Sequence, residues 1–484
     1  MLEGLEIREI NMKSVKFENR TFRIDSIYFG KRSYNTDISI KAKPHFFLED
    51  KEVVSGPFGS TLKSHSYLNE GVPFVRIENI KGGFDIDKSQ IIYISEENNQ
   101  LLKNSQLFTD DLVLSKVGNS IGYYARVDEE MGACNISENN LGIKLQKYNE
   151  FLRHYILTYF NCSIGFELTI RRISGNAQPK LNVFDITEIP IPKYSDKFYK
   201  SISKLIINSK SKIDNSKQAY SKAETILLNE VGLIDFELSN APVNIKNLKE
   251  SFGITKRLDA EYYQKKYEQI IEKIVSQKHD TLINIVGISK SIEPGSDNYS
   301  DEGGLPFYRV SDFNKFGLSK PDKELTASFV LENKDLIKKL KPTQGTILFS
   351  KDGSVGTAYL LRKDLDGITS GAILHLQVRN PKIIVPEYLT LALNSKLVQM
   401  QAERDAGGSI ILHWRKEEIE QVVVPIIDYK KQAQIAELVE ESFKLKVESE
   451  RLLEVAKKAV EMAIEENEEK AMKYIKDNEQ AHAS

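Results

Sequence analysis

Two stretches of the chain carry apolar and small residues at alternating steps of four and three, the spacing that keeps one stripe of a helix turned toward a partner. In residues 197–231 the stripe is Phe198, Ile202, Leu205, Ser209, Lys212, Ser216, Ala219, Ala223 and Ile226. In residues 431–476 it is Ile435, Leu438, Ser442, Leu445, Ser449, Leu452, Ala456, Ala459 and Ala463. The spacing predicts two long helices. Small seam residues let helices approach closely, so an antiparallel pair formed within the chain is expected; the plainer alternative is one-sided packing of each helix on its own domain. Ahead of each helix the pattern shortens to β-branched and aromatic runs bounded by Gly, Asn and Asp. These are Val72-Pro-Phe-Val-Arg-Ile, Gln90-Ile-Ile-Tyr-Ile and Asp111-Leu-Val-Leu-Ser, then Leu305-Pro-Phe-Tyr-Arg-Val, Gly345-Thr-Ile-Leu-Phe-Ser, Ala358-Tyr-Leu-Leu and Ala372-Ile-Leu-His-Leu-Gln-Val. Residues 151–160 and 386–394 read as shorter helices. The fold class predicted is α+β.

The same blocks occur twice. Asn11-Met-Lys-Ser-Val-Lys16 returns as Asn244-Ile-Lys-Asn-Leu-Lys249, and Gly71-Val-Pro-Phe-Val-Arg76 as Gly304-Leu-Pro-Phe-Tyr-Arg309, both at an offset of 233. Arg23, Asp25 and Tyr28 return as Arg257, Asp259 and Tyr262 at 234. Ser115-Lys-Val-Gly-Asn-Ser-Ile-Gly122 matches Ser350-Lys-Asp-Gly-Ser-Val-Gly356 with one residue deleted, and Gly175 and Pro192 match Gly408 and Pro425. A period near half the chain is too long for a solenoid and marks a duplicated domain pair. The intervening residues differ widely, so one scaffold presents two different surfaces.

At 484 residues, with 40% hydrophobic and 28% charged residues, the composition is that of a soluble globular protein of two to four structural units. No apolar run has the roughly 18 residues needed to span a bilayer, and the first residues lack a signal-peptide core. A cytoplasmic location is expected. Cys134 and Cys162 are the only cysteines, and the seven histidines form no ligand spacing, so no structural metal is expected. The net charge of −2 conceals an asymmetry. Residues 435–484 hold 13 acidic and 8 basic side chains, a net −5, which leaves +3 for residues 1–434. A mildly basic body permits DNA binding.

The duplicated architecture, the two Gly-x-Pro-Phe blocks, the two Ser–Lys–x–Gly loops, and the stretches Gly175…Ile189-Pro-Ile-Pro192 and Gly408…Val424-Pro425 leading into long helices form an ordered set. With that set the chain resembles the specificity subunits of Type I restriction–modification enzymes, over essentially its whole length. The resemblance implies two target recognition domains, residues 1–193 and 235–426, each reading half of a split double-stranded DNA sequence. It also implies two spacer helices, residues 194–234 and 427–484 (the second with an acidic tail), paired as an antiparallel coiled coil. A 35-residue helix is about 52 Å long, or about 15 base pairs of duplex. The family's subunit has no chemistry or cofactor of its own. It recruits two modification subunits that methylate adenine N6 and, further, restriction/translocase subunits; S-adenosylmethionine, ATP and Mg belong to those partners.

Phosphate and base contacts are expected from cationic, hydroxyl and amide side chains on flexible loops. The loops at Lys116, Asn119 and Ser120 and at Lys351 and Ser354 supply a cation, glycine and polar donors in equivalent places, although a tight turn explains their glycines equally well. Arg171, Arg172, Asn176, Gln178 and Lys180 form the densest basic and amide stretch of the first copy; Arg404, Ser409, His413 and Arg415 are its counterpart. Here too, a loop with merely solvated cations is the alternative. Trp414 reads as core. Arg76 and Arg309 recur in the shared scaffold, so a structural ion pair is at least as good a reading as a base contact. No adenine-methyltransferase loop, phosphate-binding loop, nucleophile elbow or His-Glu-x-x-His pattern occurs, so no catalysis by this chain is expected. The alternatives are a specificity subunit of a methyltransferase-only or other phage-defence assembly, and a duplicated protein–protein scaffold that does not bind DNA.

Overall fold

The two heptad stretches form helices Asp196–Glu230 and Tyr429–Glu465 in the structure, a computed structural model that describes residues 9–17, 23–57, 62, 64–175, 178–300, 303–408 and 411–480. The second stretch is not one helix to residue 476. It breaks after Glu465, and Asn467 starts a new helix, Glu468–Gln480, by accepting the backbone N–H of Lys470 on Oδ1 at 3.0 Å. That acidic segment is no loose tail. Ala471 and Ile475 are buried in the core, and Lys204 pairs with Glu479 at 2.8 Å.

The chain divides into two compact units, Met1–Ser211 with Glu448–Ser484, and Lys212–Val447. The division cuts both long helices. The reason is packing. In the first unit Phe198, Ile202, Leu205 and Ile206, together with Leu452, Val455, Ala456, Ala459 and Val460, share one core with strand residues Leu112, Leu114, Leu141 and Ile143. In the second, Tyr220, Ala223, Leu227, Ile435, Val439 and Phe443 share a core with Ile347, Phe349, Leu374 and Leu376. Each helix half therefore belongs to the β-rich body it packs on, besides meeting the other helix. Within the first unit Ser195 meets Glu468 while Ser209 meets Ser449. Within the second, Ser216 meets Ser442 while Glu230 pairs with Lys431 at 3.1 Å. Numbers rise on one helix as they fall on the other, so the helices run antiparallel in both units.

Each unit repeats the same sheet plan. The first has a four-stranded antiparallel sheet ordered Val53–Ser55, Asn140–Ile143, Leu112–Ser115, Tyr124–Arg126; the second has Val286–Lys290, Ile373–Val378, Ile347–Ser350, Ala358–Leu360. A smaller mixed sheet stands beside each. Its one parallel pairing sets Phe74 opposite Asn135 in the first unit and Phe307 opposite Ile368 in the second. Helices Glu150–Asn161 and Pro386–Asn394 lie at the predicted places, and each is tied to the approach to a long helix in the same way. Tyr155 donates its hydroxyl to the carbonyl of Pro192 at 3.0 Å, and Tyr388 to that of Pro425 at 2.7 Å.

Candidate nucleic-acid interface

The two segments selected from the sequence in each copy come together. In the first unit Ser174 and Lys180 exchange backbone hydrogen bonds at 3.0 and 2.8 Å, closing a small hairpin. The next residue, Leu181, donates its N–H to the carbonyl of Lys116 at 2.9 Å, which seats the hairpin against the lysine loop. In the second unit Gly407 and His413 close the equivalent hairpin at 3.0 and 2.7 Å, and Trp414 donates to the carbonyl of Lys351 at 2.7 Å. The glycines follow from this geometry. A Cβ on Gly175 would stand 2.6 Å from the carbonyl oxygen of Gln178, and one on Gly408 2.1 Å from that of Ile411. Gly118 and Gly353 occupy left-handed backbone at φ 81° and 71°, turning each lysine loop back on itself.

A third segment lies beside the lysine loop in each unit: a Cβ on Gly118 would stand 3.5 Å from Ile77 Cδ1, and one on Gly353 4.0 Å from Val310 Cγ1. The turn after each Gly-x-Pro-Phe strand begins with an arginine whose backbone N–H is capped three residues on: Arg76 by Asn79 Oδ1 at 2.9 Å, Arg309 by Asp312 Oδ2 at 2.8 Å. Ser120 Oγ donates to the Ile77 carbonyl at 3.4 Å and to Ser115 Oγ at 2.9 Å, so the lysine loop rests on this turn. Arg76 itself pairs with Glu78 at 3.0 Å and Arg309 with Asp322 at 3.6 Å. Beside them in the first unit lies a cleft of about 200 Å³ lined by Tyr67, Phe74, Arg76, Glu78 and Asn139, among others. Sequence reasoning did not find Ser55 or Asn139. Ser55 Oγ accepts from Lys116 Nζ at 3.0 Å, and the Asn139 carbonyl accepts the Lys116 N–H at 3.0 Å. Neither lies in a repeated block, so nothing in the pattern marked them.

On this surface Asn119, Gln178 and Lys180 are exposed, and Lys116 is half-buried. Burial, followed by the nearby Lys180 charge, lowers the Lys116 ammonium below the usual lysine range. The Glu138 carboxylate acts in the opposite direction and offsets part of this. The second unit is built differently. Lys351 and His413 both bond to Asp352, His413 through Nδ1 at 2.8 Å, while Ser354 is exposed and lends its carbonyl to Ser350 and Thr357. Arg415 is exposed and pairs with Glu418. Asn176 and Ser409 lie outside the described residues.

Arg171 and Arg172 do not belong to the surface. They are 3% and 1% exposed. Arg172 bonds to Asp37 and to the carbonyls of Leu168 and Glu188, each at 2.8 Å. Arg171 donates to the Tyr28 carbonyl and stacks 4.3 Å over the Tyr28 ring and 5.1 Å from that of Tyr34. Burial raises the Asp37 carboxyl, but Arg172, Lys41 and Arg171 outweigh it and hold the group below its usual range. The expectation of DNA contact from these two residues is corrected: they neutralise a buried carboxylate and tie the N-terminal segment down. Arg404 is used similarly, lying 5.0 Å over the Tyr262 ring and paired with Asp405 at 2.6 Å. The recurring Arg-x-Asp-x-x-Tyr block explains both. Arg23 donates to the Arg171 carbonyl at 3.3 Å and Arg257 to the Asp405 carbonyl at 2.9 Å, each also facing its own tyrosine. Trp414 is 1% exposed and packs near Phe349, as core.

Among the described residues, no group of His, Cys, Asp and Glu could hold a metal ion, and no helix is long and apolar enough to cross a membrane. Residues 280–457 match the model of a family described as the Type I restriction modification DNA specificity domain. The match covers the second unit's lysine loop and hairpin together with most of the second long helix, and the first unit repeats the sheet order and these hydrogen bonds. The chain is also similar to the S subunit of a Type I restriction–modification system from M. genitalium, at 12% identity over 87% of this chain and 96% of that one, with a TM-score of 0.39. An HsdS subunit from Thermoanaerobacter tengcongensis is 13% identical over 88% and 94%, with a TM-score of 0.27. The type IIG restriction endonuclease BpuSI is 12% identical over 39% of this chain and 32% of its own, with a TM-score of 0.26. No curated protein matches the sequence.

Proposed function

We propose that this chain is the DNA-recognition subunit of a Type I restriction–modification complex, in which each unit reads one half of a bipartite duplex target. The observation that carries the reading is the three-segment surface built twice on one frame, cationic and polar in both units but different in side chains. A shared frame positions the protein on phosphates, and the differing side chains read different bases. The long helices act as the spacer between the two half-sites. The chain performs no chemistry and recruits two adenine-N6 modification subunits, with restriction/translocase subunits joining them.

The test is a genome-wide map of methylated adenines with this chain present and deleted, beside its modification subunit. Loss of one split motif on deletion is expected; an unchanged methylome with the modification subunit active refutes the proposal and favours a protein scaffold. Spacing is tested separately. Ser209 faces Ser449 and Ser216 faces Ser442, so facing positions sum to 658 and Ala219 lies opposite Val439. One heptad inserted after Ala219 with a matching heptad before Val439 preserves every seam pair. It lengthens the helix pair by about 10.5 Å and should widen the gap between half-sites by about 3 base pairs. An unchanged gap would defeat the spacer role.

A further inference from the structure

The lysine loops share their frame but differ at one decisive position. Both lysines offer a carbonyl to the residue that follows the hairpin, and both loops turn through a left-handed glycine. Between lysine and glycine stands Val117 in the first unit and Asp352 in the second. The residue closing the hairpin alongside is Lys180 in one and His413 in the other. A one-for-one change on a common backbone alters what the loop can recognise without altering where it sits.

Asp352 is aimed rather than free. Its Oδ1 accepts from His413 Nδ1 at 2.8 Å and its Oδ2 accepts from Lys351 Nζ, while the backbone N–H of Gly353 reaches the Leu412 carbonyl at 2.9 Å. One fifth of the side chain stays exposed. An ionised carboxylate has about four acceptor positions, and these two partners fill two of them. A carboxylate on a phosphate-gripping face is repelled by the backbone unless it looks past it, to base edges in the major groove. Cytosine presents the N4 amino donor there. Adenine presents N6 beside the N7 lone pair, which would lie against a carboxylate oxygen, and guanine presents acceptors only. Val117 can make only the apolar contact that the thymine methyl group offers.

We infer that the position between this lysine and this glycine reads a base and makes the two half-sites differ: Asp352 selects a cytosine amino group and Val117 a thymine methyl. The inference rests on the function proposed above and names base-reading residues within it. The test is selection from a randomised duplex pool by the full chain assembled with modification subunits, for the wild type, Asp352→Val, Asp352→Asn, Val117→Asp and His413→Ala. Asp352→Val should erase a cytosine preference at one base pair of one half-site, on the order of tenfold, and leave the other half-site unchanged. Asp352→Asn, which keeps the size and adds a donor, should move that preference toward adenine. Val117→Asp should change one base pair in the opposite half-site. Uniform weakening over all sequences by Asp352→Val and His413→Ala alike would overturn the inference, since Asp352 would then only pin the hairpin. Loss of a preference for a base other than cytosine overturns it too. A wild type that selects no split motif refutes the proposed function itself, a distinguishable failure.

Discussion

Arg172 and Lys180 lie eight residues apart in one basic stretch, and the structure gives them opposite roles that a paired substitution separates. Arg172→Ala removes a guanidinium that is 1% exposed and bonded to Asp37, the Leu168 carbonyl and the Glu188 carbonyl. Asp37 would keep Lys41 at 2.7 Å and Arg171 at 3.4 Å, so its charge is only partly stranded, but the buried Leu168 carbonyl and the half-buried Glu188 carbonyl lose this donor and a cavity opens. Breaking a buried pair from one side costs about 3–5 kcal/mol. The retained partners of Asp37 argue for the lower end, about 3 kcal/mol. Lys180→Ala removes an exposed cation beside Lys116, and its effect on stability should stay within about 0.5 kcal/mol. If Lys180 meets a phosphate, the slope of log affinity against log salt should become shallower by about 0.9. The assay has two arms: hydrogen exchange of the backbone amides in residues 28–41 and 163–189, and duplex binding at several salt concentrations below the unfolding temperature. Arg172→Ala should speed exchange in those segments and leave the salt slope alone; Lys180→Ala should do the reverse. An Arg172→Ala protein of unchanged protection and shallower salt slope would refute the assignment of a structural role to that arginine.

Two further outcomes follow from buried groups. His375 is 6% exposed with Thr369 Oγ1 2.8 Å from Nε2, and burial pulls its imidazole down to about 4. Its unfolded value is near 6.5, so the unfolded chain binds the extra proton between pH 6.5 and 4. Stability is therefore complete above pH 6.5 and falls as pH drops through that window, by on the order of 3 kcal/mol in full. His375→Gln should flatten this part of the urea-melt profile, and an unaltered profile would show that the histidine is not the group responsible. In the helix seam, Ser209 and Ser449 each donate to the other's backbone carbonyl, at 3.0 and 2.9 Å, with their hydroxyls 2.8 Å apart. Ser209→Val should force the closely approaching helices apart at about 1–3 kcal/mol, and Ser209→Ala with Ser449→Ala should show a coupling above about 0.5 kcal/mol in a double-mutant cycle; strict additivity in urea melts would contradict the pairing.

What the sequence made legible was whatever repeats or has a period. The helices at 197–231 and 431–465 follow from their heptads, and the Gly-x-Pro-Phe strands from their recurrence. The structure adds the reason for the recurring glycines: a Cβ on Gly71 would stand 2.5 Å from the Ile94 carbonyl oxygen, and one on Gly304 2.1 Å from that of Leu325. The lysine loops and hairpins were chosen separately, and their meeting in space depends on the Leu181 and Trp414 hydrogen bonds, which no spacing encodes. Arg171 and Arg172 misled because composition cannot distinguish an exposed cation from one facing a buried carboxylate. Asp37, their partner, is more than 130 residues distant in sequence and stands in no repeated block. Arg404 shared a clearer warning: the Arg-x-Asp-x-x-Tyr blocks recur in both copies, and a recurring cluster is more economically read as scaffold than as the part that reads two different sequences.

The serine pairs connect the duplication to the spacing. The offset of 233 carries Ser209 to Ser442 and Ser216 to Ser449, so each pair is the other's image under the repeat. A slip of one heptad in one direction would pair Ser209 with Ser442 but set Ser216 against Ile435 and Ser449 against Ile202, leaving two seam hydroxyls facing alkyl groups. The opposite slip would pair Ser216 with Ser449 and set Ser209 and Ser442 against Ala456 and Ala223. Each hydroxyl that loses its partner costs about 1–3 kcal/mol if buried unsatisfied, and about 1 kcal/mol if it finds a carbonyl on its own helix. Only the observed register pairs all four serines. An all-leucine seam would bury more apolar area yet tolerate either slip with little penalty. On the function proposed above, a heptad slip would displace the helices by about 10.5 Å, or about 3 base pairs, so the polar layers are what fix one spacing between half-sites.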